Sequence, residues 1–510
     1  MKKIIFITLT LLLTSCNSAK EISSIKDTQT ISTTKNFTSK LLIPPILEDK
    51  DKSIDKDEFD ISVQKGKVKF LNELETNTYG YNGNFLGPVI RVKSGNEVKV
   101  NVKNNLGEDT TIHWHGLEIP SDMDGGPDHA IKSNTEWHPS FKISQQAGTY
   151  WFHPHTFEKT GEQVYKGLAG LFIVDDKNSE SLDIPNNYGV NDIPLILQDR
   201  RFNKDGSFDY KSQMIDNDGM LGDKILVNGV INPYLEIKEN RIRFRVLNGS
   251  NARIYKIALS DNSEFYQIAS DGGLLEKPIL LKSLMLASGE RAEIVVDFSK
   301  YKDKEEVILK SLAYENKEKT MTSESVSGRI ENGKDLDLIK FVVKKENTDL
   351  KSTTFSLPND LTKIERLQEK DSSKVRKFEL TDMSMDMGNM PMNMDMSGSH
   401  SMHTMSTNNM YNGMFRINNK VFDLSRVDES VKLNDTEVWE ITNKSQMLMP
   451  HPFHIHGVQF QILARNSKEP SLNEKGWKDT VLVQPDETVK IIAKFKNKGM
   501  FMYHCHTLEH

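Results

Sequence analysis

Four short His-x-His segments constrain this chain more than anything else in it: His113-Trp114-His115, His153-Pro154-His155, His454-Ile455-His456 and His504-Cys505-His506. Successive side chains of an extended segment point to opposite faces, so each segment offers two imidazoles on one side. Two of the four lie before residue 160 and two after residue 450. Using all of them at one multinuclear metal site requires a fold that brings the two ends of the chain together. The last segment carries more. Cys505 points away from its flanking imidazoles, and His510 follows four residues after His506. Cys505 and His510 supply part of a His2Cys trigonal set, the donor arrangement of blue-copper electron-transfer sites, and a thiolate among imidazoles suits copper better than zinc. With His451 and His510, ten of the 14 histidines fall in four clusters; His129, His138, His400 and His403 stand apart.

The sequence around these clusters predicts an all-β fold. At roughly 150 residues per domain, a chain of 510 residues holds three domains. Short strands with turn punctuation fill residues 58–180, 190–345 and 378–510. In the first block Val89-Ile90-Arg91-Val92 and residues 98–102 are bounded by Gly87-Pro88, Ser94-Gly95-Asn96 and Asn104-Asn105, with no helical period. The middle block, with strands at 241–246 and 292–297, contains no histidine. The third has strands at 436–441, 459–463 and 488–495. This spacing predicts antiparallel sandwiches. Residues 346–377, charged and containing Ser and Thr, are a linker. A formal net charge of −6 and the lack of a basic cluster exclude a nucleic-acid partner.

The chain opens with a targeting signal: Met1-Lys2-Lys3, an apolar run at residues 4–13, and Leu13-Thr14-Ser15-Cys16. It is similar to a bacterial lipoprotein signal, which implies lipidation of Cys16 as the mature N-terminus. The apolar run is well short of the roughly 20 residues of a membrane span. Residues 17–57, rich in Ser, Thr, Lys and Asp, read as a flexible tether.

Residues 383–414 hold eleven of the 21 methionines: Met383, Met385, Met387, Met390, Met392, Met394, Met396, Met402, Met405, Met410 and Met414. Asp, Ser, Gly, Asn and Pro interrupt them, so no apolar face forms. One reading is a low-complexity linker. The sharper one is Cu(I) recruitment by soft thioethers, with His400 and His403 adding imidazoles. Met500 and Met502, ahead of the last cluster, are expected in the core.

The clusters and their flanks resemble the multicopper oxidases, and among them the bacterial copper-efflux (cuprous) oxidases. The flanks are Asp124-Gly125-Gly126-Pro127, Tyr150-Trp151-Phe152, Gly167-Leu168-Ala169-Gly170, Leu247-Asn248-Gly249-Ser250-Asn251-Ala252-Arg253 and Ser270-Asp271-Gly272-Gly273-Leu274-Leu275-Glu276. The resemblance covers residues 59–510. It implies three cupredoxin-like Greek-key β-sandwich domains and four copper ions, with a trinuclear cluster between the first and third. By position, His113 and His454 match the type 2 ligands. His115, His153, His155, His456, His504 and His506 match the type 3 pair, and His451, Cys505 and His510 the type 1 site. Asp124 matches an acid that assists proton delivery in the family; read from the residues alone it is equally an Asx turn before Gly125. Met449 falls where the family places a ligand of substrate Cu(I). Met447 and Gln446 stand where an acidic partner is expected. Family members continue past the last histidine with an axial type 1 ligand and a closing segment, so a sequence ending at His510 reads as truncated.

The expected activity is oxidation of Cu(I) coupled to reduction of dioxygen to water, detoxifying copper at the cell envelope. The protein is expected to be a lipid-anchored monomer facing the periplasm or the exterior. Laccase-like oxidation of phenols or aromatic amines is the enzymatic alternative. A non-catalytic copper-binding lipoprotein is the alternative from another class.

Overall fold

The computed structural model describes residues 37–319, 326–345, 356–382 and 415–510. Cys16 with its signal segment, and the methionine-rich stretch with His400 and His403, lie outside the described residues.

The three blocks form three sandwiches of two sheets each. In the first, Glu97–Asn105 buries every second residue, sending Val98, Val100 and Val102 into a core with Phe59, Ile61 and Val63. Each such side chain contributes about 1.5–3 kcal/mol of apolar burial. The third sandwich packs Phe378, Trp439, Phe453 and Ile491 in the same way. The middle sandwich departs from alternation: all nine residues of Asp192–Arg200 are buried. One face of this strand meets its own core through Ile193, Leu195 and Leu197. On the other face Ile196, with Leu247, packs against Trp151, Leu171 and Ile173 of the first sandwich. The same face carries a buried charge network. Arg245 donates to Asp192 Oδ1 at 2.7 Å and to Glu293 Oε1 at 2.9 Å, and Thr149 of the first sandwich donates to Glu293 at 2.6 Å.

Several expectations are corrected. Most sheets are mixed rather than antiparallel, because Lys56–Leu71, Asp192–Arg200 and Lys374–Asp382 each pair in parallel with a later strand, whereas the sheet of His451–Ile455 is antiparallel throughout. Residues 37–57 are no free tether. Ser39–Lys40 pairs with Pro233–Ile237, and Leu41, 4 % exposed, enters the middle core. The polar residues on either side of the apolar run at 41–47 masked it as a tether, yet Ile43 and Leu47 also pack onto the middle and first cores. The linker, over its described residues 356–377, is likewise tied down: Leu361 is buried and its N–H donates to the carbonyl of Glu276.

Two sheets position the candidate ligands. In the first sandwich His113–His115 pairs antiparallel with Gly148–His153, setting His113 opposite His153. In the third, His451–Ile455 lies between Thr480–Val483 and Tyr503–Cys505, setting His454 opposite His504 and Phe453 opposite Cys505. Met500 and Met502 precede this last strand, and Met500 is 56 % exposed, not in the core.

Candidate metal centre

The histidines of the first and third sandwiches interleave. The His113 and His456 rings stack at 3.8 Å, as do those of His115 and His454. Donor atoms of His113, His115 and His153 lie within 4.8 Å of one another. So do those of His113, His454 and His456, and those of His155, His456 and His504.

Hydrogen bonds at the rear of the rings decide which nitrogen faces inward. The Nδ1–H of His113 donates to the carbonyl of Asp124 at 3.0 Å, and that of His454 to the carbonyl of Asp479 at 2.8 Å. His153 and His504 donate to the carbonyls of Pro154 and Cys505, each at 2.8 Å. A carbonyl only accepts, so in each ring Nε2 keeps its lone pair and turns it into the centre. His115 is reversed: its Nε2–H donates to Asp479 Oδ1 at 3.0 Å. Its Nδ1 then faces His153 Nε2 at 3.4 Å. Similarly, Nε2 of both His155 and His456 lies 3.1 Å from Nε2 of His504.

Burial keeps seven of the cluster's rings neutral. It lowers the pKa of His456 to about 4 and that of His506 to about 3, and it drives His115, His153, His155, His454 and His504 well below the usual range, helped by neighbouring imidazoles. Nε2 of His113, His454 and His506 is buried with no protein partner. An unsatisfied buried polar atom costs about 1–3 kcal/mol, and facing lone pairs repel. A cation answers both, and all-imidazole donors suit copper as well as zinc, iron and nickel.

Asp124 closes the side next to His113 and His456. It ends the short helix Ser121–Asp124, with Gly125 at φ 77° in the left-handed region after it, so it is a helix end and not an Asx turn. Its Oδ2 accepts from His456 Nδ1 at 2.8 Å and lies 3.2 Å from His113 Nδ1. Its Oδ1 is buried without a partner. Burial opposes its ionisation, but the two imidazoles outweigh that and hold its carboxyl below the ordinary range. Asp479 shows the same balance, with Arg291 supplying the positive charge.

A second donor set sits one residue away along the chain. Cys505 Sγ is 3.3 Å from His451 Nδ1 and 3.5 Å from His510 Nδ1. The Nε2–H of His510 donates to the carbonyl of Asp218 at 3.4 Å, which leaves its Nδ1 facing the sulfur. Burial pushes the Cys505 thiol up to about 11, so it stays protonated until a metal displaces the proton. Beside this set lies a cavity between the middle and third sandwiches, lined among others by Asp218, Glu318, Arg329, Met449, Pro450 and Thr507.

The structure thus gathers all ten motif histidines, Cys505 and Asp124, and buries Met449 at the cavity. His129 and His138 stand outside these donor sets; they face Asp128 and Asn101. The sequence did not single out Asp479, Arg291 or Ser288, whose hydroxyl lies 3.3 Å from His506 Nδ1. No local pattern separates Asp479 from the other acidic residues.

Two family models described as multicopper oxidase match residues 62–179 and 389–510. A protein of Staphylococcus haemolyticus named multicopper oxidase mco is 38 % identical over 474 residues, 92 % of this chain and 90 % of that protein. The chain belongs to the multicopper oxidase family. As a multicopper oxidase it is a copper-dependent oxidoreductase built of cupredoxin-like domains. Solved structures agree. A laccase from Pediococcus acidilactici is 36 % identical, with TM-score 0.78, over 92 % of this chain and 90 % of that one. A Campylobacter jejuni multicopper oxidase described as a metallo-oxidase is 30 % identical, with TM-score 0.77, over 92 % of both chains.

Proposed function

We propose that this multicopper oxidase is a cuprous oxidase: four Cu(I) ions each give up one electron, four protons are taken up, and one dioxygen becomes two waters. Copper bound at the histidines and at Cys505 supplies the one-electron redox chemistry and the affinity for dioxygen. The reading places one ion at His451, Cys505 and His510, one at His113 and His454, and two at the remaining six histidines. Cys505 is joined by single peptide units to His504 and His506, so the path from its sulfur to the cluster is covalent. Asp124, with Oδ1 unpartnered and Oδ2 on His456, is the carboxylate that takes up protons and relays them to the cluster.

The choice of Cu(I) rests on the cavity beside the Cys505 set. Met449 brings a soft thioether and Asp218 and Glu318 bring carboxylates to a space that touches Pro450, next to His451, and Thr507, whose N–H points at Cys505 Sγ. These donors suit Cu(I) and its Cu(II) product. A pocket for a phenol is mostly apolar and aromatic, and this lining is not. Asp218 and Glu318 supply acids at this cavity where Met447 supplies none, alongside the cations Lys319 and Arg329. Replacing Met449→Leu is expected to slow Cu(I)-driven oxygen uptake about tenfold and leave uptake with a phenol unchanged. Equal rates for both reductants in variant and wild type would end the Cu(I) assignment. The likeness to a laccase favours the second reading, phenol oxidation, and the same two assays decide between them. The monomeric chain is placed at the cell envelope by a lipid on Cys16; labelling with a fatty-acid analogue, lost in Cys16→Ala, tests this.

A further inference from the structure

The middle sandwich contributes no ligand to the histidine cluster or to the Cys505 set, yet part of the metal centre is built on it. Arg291 opens the strand Arg291–Asp297 and is buried. Its guanidinium reaches Asp479 of the third sandwich, with Nη1 donating to Oδ1 at 2.8 Å and Nη2 to Oδ2 at 2.6 Å. The remaining N–H groups donate to the carbonyls of Thr149, Gly289 and Asp271 at 3.0, 3.0 and 2.9 Å. All five donors of the planar fork are taken, so the group has one orientation. Asp479 in turn meets two inward-facing rings. Its Oδ1 accepts from His115 Nε2 at 3.0 Å, and its carbonyl accepts from His454 Nδ1 at 2.8 Å. His115 belongs to the first sandwich and His454 to the third.

We propose that Arg291 is a positioning residue of the metal centre, holding Asp479 so that His115 and His454 turn their opposite ring nitrogens to the same cluster. A bonded partner behind a ligating imidazole sets its orientation and basicity. Here that partner is itself clamped from a domain without ligands. Lys478, paired with Asp271 at 2.8 Å and Glu290 at 3.1 Å, braces the same junction. The inference requires only that the histidines hold copper, whatever the reductant.

The test compares Arg291→Gln and Arg291→Lys with Arg366→Gln. Arg366 pairs with Glu276 at 2.7 Å and also donates to the carbonyl of Lys475, joining the middle sandwich to the third without a bond to Asp479 or to any histidine ring. Each full-length protein is reconstituted with copper. Copper affinity and stoichiometry, the electron paramagnetic resonance of the histidine-held copper, the visible absorption of the Cys505 site and the melting temperature are then read. Arg291→Gln is expected to weaken copper binding at the cluster about 10–100-fold and to alter its resonance, while the Cys505 absorption persists. Arg291→Lys, which restores charge without the fork, falls between. Arg366→Gln keeps both spectra. Wild-type cluster affinity and resonance in Arg291→Gln would overturn the proposal, as would joint loss of both signals or the same spectral change in Arg366→Gln. Should Arg291→Gln not fold, Arg291→Lys decides alone, a wild-type cluster spectrum sinking the idea. Wild-type loading, measured alongside, separates a failed metal centre from a failed positioning role.

Discussion

Asp124 shows what a single residue adds beyond ligation. Its carboxylate touches two metal-facing imidazoles from behind, one from each of two domains, and general acid–base groups contribute typically 10²–10⁴-fold to rate. Asp124→Asn keeps the size and one acceptor oxygen but loses the carboxylate that can take up a proton and pass it on. Oxygen turnover is expected to fall about 10²-fold with copper content and visible absorption retained; a proportional loss of copper would make the residue merely structural. The ligands themselves were legible because donor type and two-residue spacing are local properties. Arg291 and Ser288 were not, because their roles exist only through contacts 188 and 218 residues away along the chain.

At the scale of elements, period-two burial made the strands of the first and third blocks readable, as in Glu97–Asn105. It failed for Asp192–Arg200, buried on both faces by two different domains. It failed again at Ser39–Lys40, where two residues suffice to add a strand. That short strand delivers Leu41 into the middle core. Removing a buried leucine side chain costs about 2–5 kcal/mol, so Leu41→Ala should lower the urea midpoint with the slope unchanged. An unaltered midpoint would return residues 37–57 to the status of a loose tether.

For the whole molecule, stability and site share one interface. Asp192, Glu293, Arg243 and Arg245 form a buried network under the first sandwich. Burial opposes ionisation of Glu293 and Asp192, yet the arginines hold both below their ordinary range. Carboxylates depressed in the folded state stabilise it above their unfolded values, about 3.9–4.3, and that contribution is lost as pH falls through the folded values. The melting temperature of the metal-free protein should therefore hold from pH 7 to 5 and drop below about pH 4. Glu293→Gln breaks a buried pair, at about 3–5 kcal/mol, and should melt lower at neutral pH with a shallower acid decline. Parallel declines in both proteins would exclude the network as the cause. By itself the sequence determined which donors exist, which strands carry them and that two distant segments must meet, since these depend on residue type and spacing. Only the tertiary structure decided which ring nitrogen of each histidine faces inward and which residues of the ligand-free domain hold it there, because hydrogen bonds across domain boundaries leave no mark on local sequence.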